Sequence, residues 1–314
     1  MALPPQSRFC VTLVCNADYV YYALFVAWQL QKLPERNFDI IICSQDELSE
    51  VCGQHNIGFL KLEIDDFITT LPTNARLSQY AYWCLPALKT LARHYDRVLY
   101  LDTDIYVCGL QMHALFDIDM LGRPVAAVRD VHQFYRPNRV PNEFRALGFN
   151  NAPYFNTGVV LIECATWNAQ KIFNQIEHYA INHGPALSCH DQSLLNLACY
   201  NNWSELSPVW NWQYSVRNGM FGSLVGVELL HLAGVCKPWS PPDGNLPRTI
   251  SKTYAAYCAQ MGVNTPENSM NPTQPDYKIL RKHIWKTLFY SQSIHRQFER
   301  FDHDLHVIAH GSKS

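Results

Sequence analysis

The chain has 314 residues, 48% of them hydrophobic and 17% charged, with 25 Lys+Arg against 27 Asp+Glu. That is enough apolar material for a full core in one large domain or two small ones, and it excludes a disordered or collagen-like chain. A formal charge of −2 removes the simplest argument for a nucleic-acid partner, which is a strongly basic surface.

Eleven cysteines are scattered without a C-x-x-C pair. This spacing fits neither a disulfide framework nor a structural zinc site, and it reads as buried free thiols in a reducing compartment. The opening MALPPQSRF does not read as a signal peptide, because Pro4 and Pro5 interrupt the apolar region. No apolar run approaches the ~18 residues of a membrane span. The Asn202-Trp203-Ser204 sequon carries no weight without a secretory signal.

In chain order, β-rich apolar runs and helical spacings alternate. Strands are predicted at 9–15, 38–43, 58–64 and 97–101. Helices are predicted at 22–33, 46–55 and 78–94, the last bent or split by Pro86. Strands at 125–128, 155–162 and 227–232 follow, with helices at 166–183 and 191–200. The pattern predicts an α/β fold with a mainly parallel sheet covered on both faces. Such sheets bind ligands beyond the carboxyl ends of their strands. The division expected is a nucleotide-binding domain over 1–250 and a helical extension over 251–314.

The extension contains a basic stretch. Between Tyr277 and Arg300 lie Lys278, Arg281, Lys282, Lys286, Arg296 and Arg300 against Glu299 alone. Tyr277, Leu280, Ile284 and Leu288 fall at helical spacing, with Trp285 and Phe289 beside them. Two readings stay open: a basic amphipathic helix on an anionic membrane surface, or a helix docked on the body with a solvated basic face.

The sharpest chemical signal is Val98-Leu99-Tyr100-Leu101-Asp102-Thr103-Asp104. An apolar strand runs into two carboxylates at i and i+2, which strand period places on one face. Two such charges repel unless a cation joins them, and hard oxygen ligands suit Mg²⁺ or Mn²⁺. A second run, His231-Leu232-Ala233-Gly234-Val235-Cys236-Lys237-Pro238-Trp239, follows a late strand. Its imidazole would shift the preference toward Mn²⁺. Gly234 permits close backbone approach to a phosphate, and Lys237 offers a point charge to a diphosphate. Tyr154-Phe155-Asn156-Thr157-Gly158 leads into a strand with an amide suited to sugar hydroxyls. His190-Asp191-Gln192 opens a helix, where an N-cap role competes with a catalytic one.

These motifs, in this order, resemble glycosyltransferase family 8, the family of glycogenin, galactinol synthases and bacterial lipopolysaccharide galactosyl- and glucosyltransferases. The run from Val11 to Tyr19 also resembles the family's nucleotide-binding start, and the likeness extends from about Phe9 to Trp239. The resemblance implies a GT-A fold, Mn²⁺ (with Mg²⁺ as the substitute), a UDP-sugar donor and transfer with retention. It implies that Asp102, Asp104 and His231 hold the metal, with Asp102 also on the ribose. Leu13, Asn16 and Tyr19 would hold uridine, and Gly234 and Lys237 the diphosphate. Asn156, Asp191, Gln192 and Asp130 would line the sugars, with Asp191, Gln192 and Asp130 nearest the chemistry. The implied acceptor is a carbohydrate, lipopolysaccharide in kind; the free thiols suit the cytoplasm, and the basic aromatic tail suits a lipid-linked acceptor at the inner membrane face.

One departure stands out. The family usually carries Lys or Arg on the helix before the D-x-D strand, where this chain has Tyr82; Arg76 is the nearest substitute. Two rival readings follow from the residues. A haloacid-dehalogenase phosphatase also places D-x-D after a strand, but Tyr106 stands where that class has Thr or Val, and several elements precede the motif rather than one. A non-catalytic sugar or nucleotide binder on the same fold would explain Tyr82.

Overall fold

The computed structural model describes residues 6–73, 78–150, 152–187, 189–215, 217–234, 237–240, 246–263 and 276–311. Eleven strands follow one another as β1 (Phe9–Val14), β2 (Phe38–Ser44), β3 (Gly58–Lys61), β4 (Arg97–Leu101), β5 (Ile105–Val107), β6 (Val125–Arg129), β7 (Phe155–Glu163), β8 (Ser204–Leu206), β9 (Trp212–Gln213), β10 (Leu229–His231) and β11 (Val307–Ala309). Eight of them build one sheet in the order β11-β8-β6-β7-β4-β1-β2-β3; the other three form a small sheet, β5-β10-β9.

The half of the large sheet made by β3, β2, β1 and β4 is parallel. Apolar side chains on both faces of these strands explain why. In β1, Val11 and Leu13 enter one core and Cys10 enters the other. In β4, Leu99 and Leu101 alternate in the same way with Val98 and Tyr100. A strand buried on both faces needs helices above and below it, and crossover helices supply them. Beyond β4 the direction changes. β7 runs antiparallel to both β4 and β6, and β6 pairs parallel with β8. This reversal sets the site: the start of β7 lies beside the carboxyl end of β4, where Asp102 N donates to Gly158 O over 2.9 Å.

Helix boundaries differ from expectation for local reasons. The stretch predicted as one helix over 78–94 is a 3₁₀ turn, Gln79–Trp83, followed by an α-helix, Cys84–Leu91. The break precedes Pro86, because proline is tolerated in a first helical turn, where no intrahelical N–H bond is lost. The stretch predicted over 166–183 is two helices, Cys164–Ala169 and Ile172–His183, parted by Lys171 at φ 53°. A helix over Arg248–Met261 packs Tyr254 and Tyr257 against Phe25 of helix Val20–Leu30. Among the described residues no helix is long and apolar enough to cross a membrane, and every described cysteine is a free thiol.

The C-terminal helix, Tyr277–Phe298, turns back into β11, which pairs antiparallel with β8 at the sheet edge. A buried charge cluster fastens this return. Glu205 of β8 is 1% exposed. It accepts from Arg129 Nη2 at 2.7 Å and Arg300 Nη2 at 2.8 Å, and it contacts His310 Nε2 at 2.7 Å. Burial works against the carboxylate's charge, but the bonds from His310, Arg300 and Arg129 outweigh it and hold the group well below its ordinary range. Removing one partner of a buried ion pair leaves the other charge uncompensated. Glu205→Gln is therefore expected to lower unfolding free energy by about 3 kcal/mol, read from denaturant melts. Because the folded-state pKa is depressed, Glu205 stabilises fully above its unfolded value of 4.5 and loses that contribution as pH falls below it. The variant should therefore lose less stability than the wild type between neutral pH and acid.

Candidate active site

The loop after β4 carries Asp102 and Asp104, and the end of β10 carries His231. The small sheet brings them together: β10 runs antiparallel to β5 with His231 opposite Ile105, and Leu232 N donates to Asp104 O over 3.0 Å. Ligand atoms of Asp102, Asp104 and His231 lie within 4.8 Å of one another. His231 Nε2 stands 3.5 Å from Asp102 Oδ2 and 3.3 Å from Asp104 Oδ1. Residues 102 and 231 are far apart in sequence, so the sheet order alone makes them neighbours.

The imidazole is oriented by what it touches on its other side. His231 Nδ1 lies 3.1 Å from the carbonyl oxygens of both Asn156 and Asn211. Two acceptors make Nδ1 the donor, and Nε2 is left to face the carboxylates. Gly158 permits this placement, since a Cβ there would overlap the imidazole ring. Tyr100, two residues upstream on β4, donates its hydroxyl to Asp102 Oδ1 over 2.7 Å.

The electrostatics follow from crowding. Burial and the neighbouring Asp104 raise the pKa of Asp102. Asp104 is held ionised, well below its ordinary range, because His231 and Lys237 together overcome its burial. Burial lowers the basicity of His231, but Asp104 and Asp102 outweigh it and the net shift is upward. Lys237 Nζ reaches both Asp104 Oδ2 and Leu232 O. Asp104 Oδ1 is buried and accepts no hydrogen bond of good geometry, although His231 is near. Two hard carboxylate oxygens, one of them buried and unsatisfied, and an imidazole nitrogen fit a divalent cation such as Mn²⁺.

A chain of amides runs from this cluster to the other motifs. Asn156 Oδ1 accepts from Asn211 Nδ2 (2.9 Å) and Gly158 N (3.0 Å), while its Nδ2 donates to Gln192 Oε1 (3.0 Å). Gln192 Nε2 donates to Asp130 Oδ2 over 3.3 Å. Asp130 also caps the helix Val131–Tyr135 through His132 N. The helix His190–Ala198 begins at Cys189 with no side-chain cap, so Asp191 and Gln192 are not capping groups and lie in its first turn. Burial, with Asp102 second, pushes Asp191 up to about 7, and the Cys84 thiol lies 3.7 Å from its Oδ2.

The remaining candidates lie at the same carboxyl end. Leu13 is fully buried in β1. Asn16 precedes the 3₁₀ turn that follows and Tyr19 ends it, half exposed and edge-on to Tyr22. Tyr22 in turn stacks on Trp239 at 4.0 Å. Gly234 is exposed with open space about it; Val235 and Cys236 of the same motif lie outside the described residues. Tyr82 is fully buried and donates to Pro72 O over 2.9 Å, so it replaces the family's cation with a packed ring. Arg76, the expected substitute, lies outside the described residues.

Sequence reasoning did not find Asn211, Tyr100, Gly158 or Cys84 as contributors. Asn211 ends a short 3₁₀ turn, Pro208–Asn211, that carries no motif. Gly158 stood in plain view within Tyr154–Gly158, but its partner is 73 positions away (231 − 158).

Two outcomes are expected. Gly158→Ala should displace His231 and weaken Mn²⁺ affinity about tenfold or more, read by calorimetry, with the circular dichroism spectrum preserved. A pH titration of Asp191 by carbon NMR should give a midpoint near 7, moved downward in Asp102→Asn because a nearby negative charge is removed.

A sequence model of Glycosyl transferase family 8 matches residues 10–241. Glycosyltransferase GlyF of Streptococcus pneumoniae is 30% identical over 207 residues, 65% of this chain and 43% of the relative. General stress protein A of Bacillus subtilis is 28% identical, covering 55% of this chain and 62% of the relative. Lipopolysaccharide 1,2-glucosyltransferase of Escherichia coli is 25% identical, covering 62% and 59%. The chain thus matches less than two thirds of the length of each of these relatives. Among solved structures, the galactosyltransferase LgtC, in complex with donor and acceptor sugar analogs, superposes with a TM-score of 0.63 at 19% identity, over 82% of this chain and 98% of that one. That likeness fixes the fold as the GT-A type and leaves no place for a haloacid-dehalogenase reading. The chain belongs to glycosyltransferase family 8.

Proposed function

We propose that the protein moves a hexose from a UDP-sugar to a carbohydrate acceptor, with Mn²⁺ as cofactor and with retention at the anomeric carbon. The observation that carries this reading is the convergence of Asp102, Asp104, His231 and Lys237 at the carboxyl ends of β4 and β10. A nucleoside diphosphate leaving group gains negative charge as the glycosidic bond opens. Asp102, Asp104 and His231 would hold the cation, which when bound neutralises that charge. Lys237, once drawn from Asp104 by the arriving diphosphate, adds a second positive charge beside it.

The anomeric carbon develops oxocarbenium character. Asp191 is the group suited to face it, because the Gln192 carbonyl already accepts from Asn156 Nδ2 and Thr157 N. Asn156, Gln192 and Asp130 offer a connected row of donors and acceptors for sugar hydroxyls. The departing diphosphate takes the acceptor's proton. A lipid-linked or lipopolysaccharide acceptor, a cytoplasmic site of action and membrane contact through residues 277–300 complete the proposal. In support, one relative acts on lipopolysaccharide by name, and the C-terminal helix carries five basic residues and no acidic one.

The test is a screen of UDP-hexoses for Mn²⁺-dependent hydrolysis without acceptor. Asp104→Ala and His231→Ala should abolish turnover on the preferred donor, and either variant turning over like the wild type would overturn the metal assignment. Tight UDP-Mn²⁺ binding with no turnover on any donor would leave a binding protein instead. Because Asp104 and Asp102 raise His231 toward its charged form, metal loading must expel a proton. Mn²⁺ affinity should therefore rise with pH across the neutral range, and the calorimetric heat should vary with buffer ionisation enthalpy.

A further inference from the structure

Asp191 and Gln192 stand on a helix that starts under strain. His190, the first residue of His190–Ala198, has φ 51°. A non-glycine residue in the left-handed region costs free energy and persists only where its surroundings hold it there. The orientation of this first turn, and so of the two residues on the sugar side, depends on what is packed against it.

Two buried polar side chains hold it. Asn196, one turn beyond Gln192, accepts from Phe155 N and donates to Phe155 O and to Gln192 O, each over 2.8 Å. This ties the helix to the start of β7 at one point, and one point leaves the first turn free to pivot. The second point is Glu143, on the short helix Asn142–Ala146. Glu143 is buried, and its Oε1 accepts from Tyr154 Oη at 2.5 Å and from Ser193 Oγ at 2.8 Å. Burial and the neighbouring carboxylate push the Tyr154 hydroxyl well above its ordinary range, so it stays protonated and donates. Ser193 Oγ accepts in turn from Cys189 N over 2.9 Å, which closes the turn around His190.

Burying a carboxylate is costly unless hydrogen bonds repay it, and the transfer chemistry above gives Glu143 no part. Its partners supply the reason. Tyr154 immediately precedes the strand that carries Asn156, and Ser193 immediately follows Gln192. Glu143 and Tyr154 also line one hollow with Asp130 and Gln192. We propose that Glu143 is a positioning residue: through Ser193 and Tyr154 it fixes the first turn of helix His190–Ala198 against the start of β7, so that Asp191 and Gln192 face the donor sugar. What Asp191 and Gln192 do there rests on the transfer reading above; what Glu143 holds rests on the geometry. The cation side is spared, because Asn156 keeps Asn211 Nδ2 and Gly158 N, and Asp102, Asp104 and His231 lie on other elements.

The experiment sets acceptor-free hydrolysis of the preferred UDP-hexose beside calorimetric binding of UDP with Mn²⁺, in Glu143→Leu, Glu143→Gln and Ser193→Ala. Glu143→Leu and Ser193→Ala should each lose about a hundredfold in kcat, as misplaced reacting groups do, while UDP affinity stays at the wild-type value. Glu143→Gln keeps an accepting carbonyl and should recover most of the loss. The losses of Glu143→Leu and Ser193→Ala should not add in the double variant, because both cut the same link. A merely structural role gives another pattern: a lower Tm with kcat unchanged, or UDP binding lost in step with turnover. Either pattern overturns the proposal. So does Ser193→Ala at wild-type turnover, which decides the matter even where Glu143→Leu fails to fold. Should the wild type turn over no donor, the transfer reading falls, and the Gln192 side-chain amide resonance of the free protein judges Glu143 separately. Movement of that resonance in Ser193→Ala leaves the positioning role standing; an unmoved resonance overturns it.

Discussion

Two partly buried carboxylates held close together repel each other, and that repulsion is the constraint around which the site is arranged. Asp102 and Asp104 lie in the short turn between β4 and β5 rather than on a strand face, and each still comes within 3.5 Å of His231 Nε2. The protein answers with positive charge from two directions: His231 from the small sheet and Lys237 from the loop beyond it. The answer is incomplete, because Asp104 Oδ1 stays buried without a hydrogen bond. An unsatisfied anionic oxygen in a low-dielectric pocket is costly alone and strongly attractive to a divalent ion. On the proposed reading, such a site would take up a cation and then a diphosphate.

The fold supplies what this arrangement needs. The parallel strands β1 and β4 deliver their carboxyl ends to one edge. The reversed β7 brings Asn156, Thr157 and Gly158 to that same edge. The antiparallel pair β5 and β10 carries His231 across to Asp104. The amides of Asn156, Asn211 and Gln192 then tie the cation side to the sugar side in one hydrogen-bonded row. Asn156 contacts both His231 and Gln192, so on the proposed reading metal holding and sugar holding would be linked through it.

Much of this was legible in the sequence, and the legible parts share a physical character. Long apolar runs such as those of β1, β4 and β7 announce themselves by composition and period. Asp102, Asp104, His231 and Lys237 announce themselves by chemistry placed directly after such runs. What stayed hidden was short or non-local. β5, β8, β9 and β11 have three residues or fewer each, too few to display a period, yet β5 and β10 together position the imidazole. Asn211 has no neighbouring motif, and its role exists only through contacts 55 and 20 positions away. The fate of the C-terminal helix was open for a related reason. Helical spacing identified an apolar series, but only the packed structure reveals that the opposite face meets the body. Tyr82 is a similar case: sequence registered a missing cation, whereas packing gives the ring and its hydroxyl a structural partner in Pro72.

The account depends on one ion bound where two separate chain segments meet. The most direct measurement is anomalous diffraction at the manganese edge from crystals grown with Mn²⁺ and UDP. The account requires a single strong peak ligated by Asp102, Asp104 and His231 Nε2, with Lys237 released from Asp104 onto phosphate. A peak elsewhere, or UDP bound in full while Lys237 keeps its place on Asp104, would contradict it.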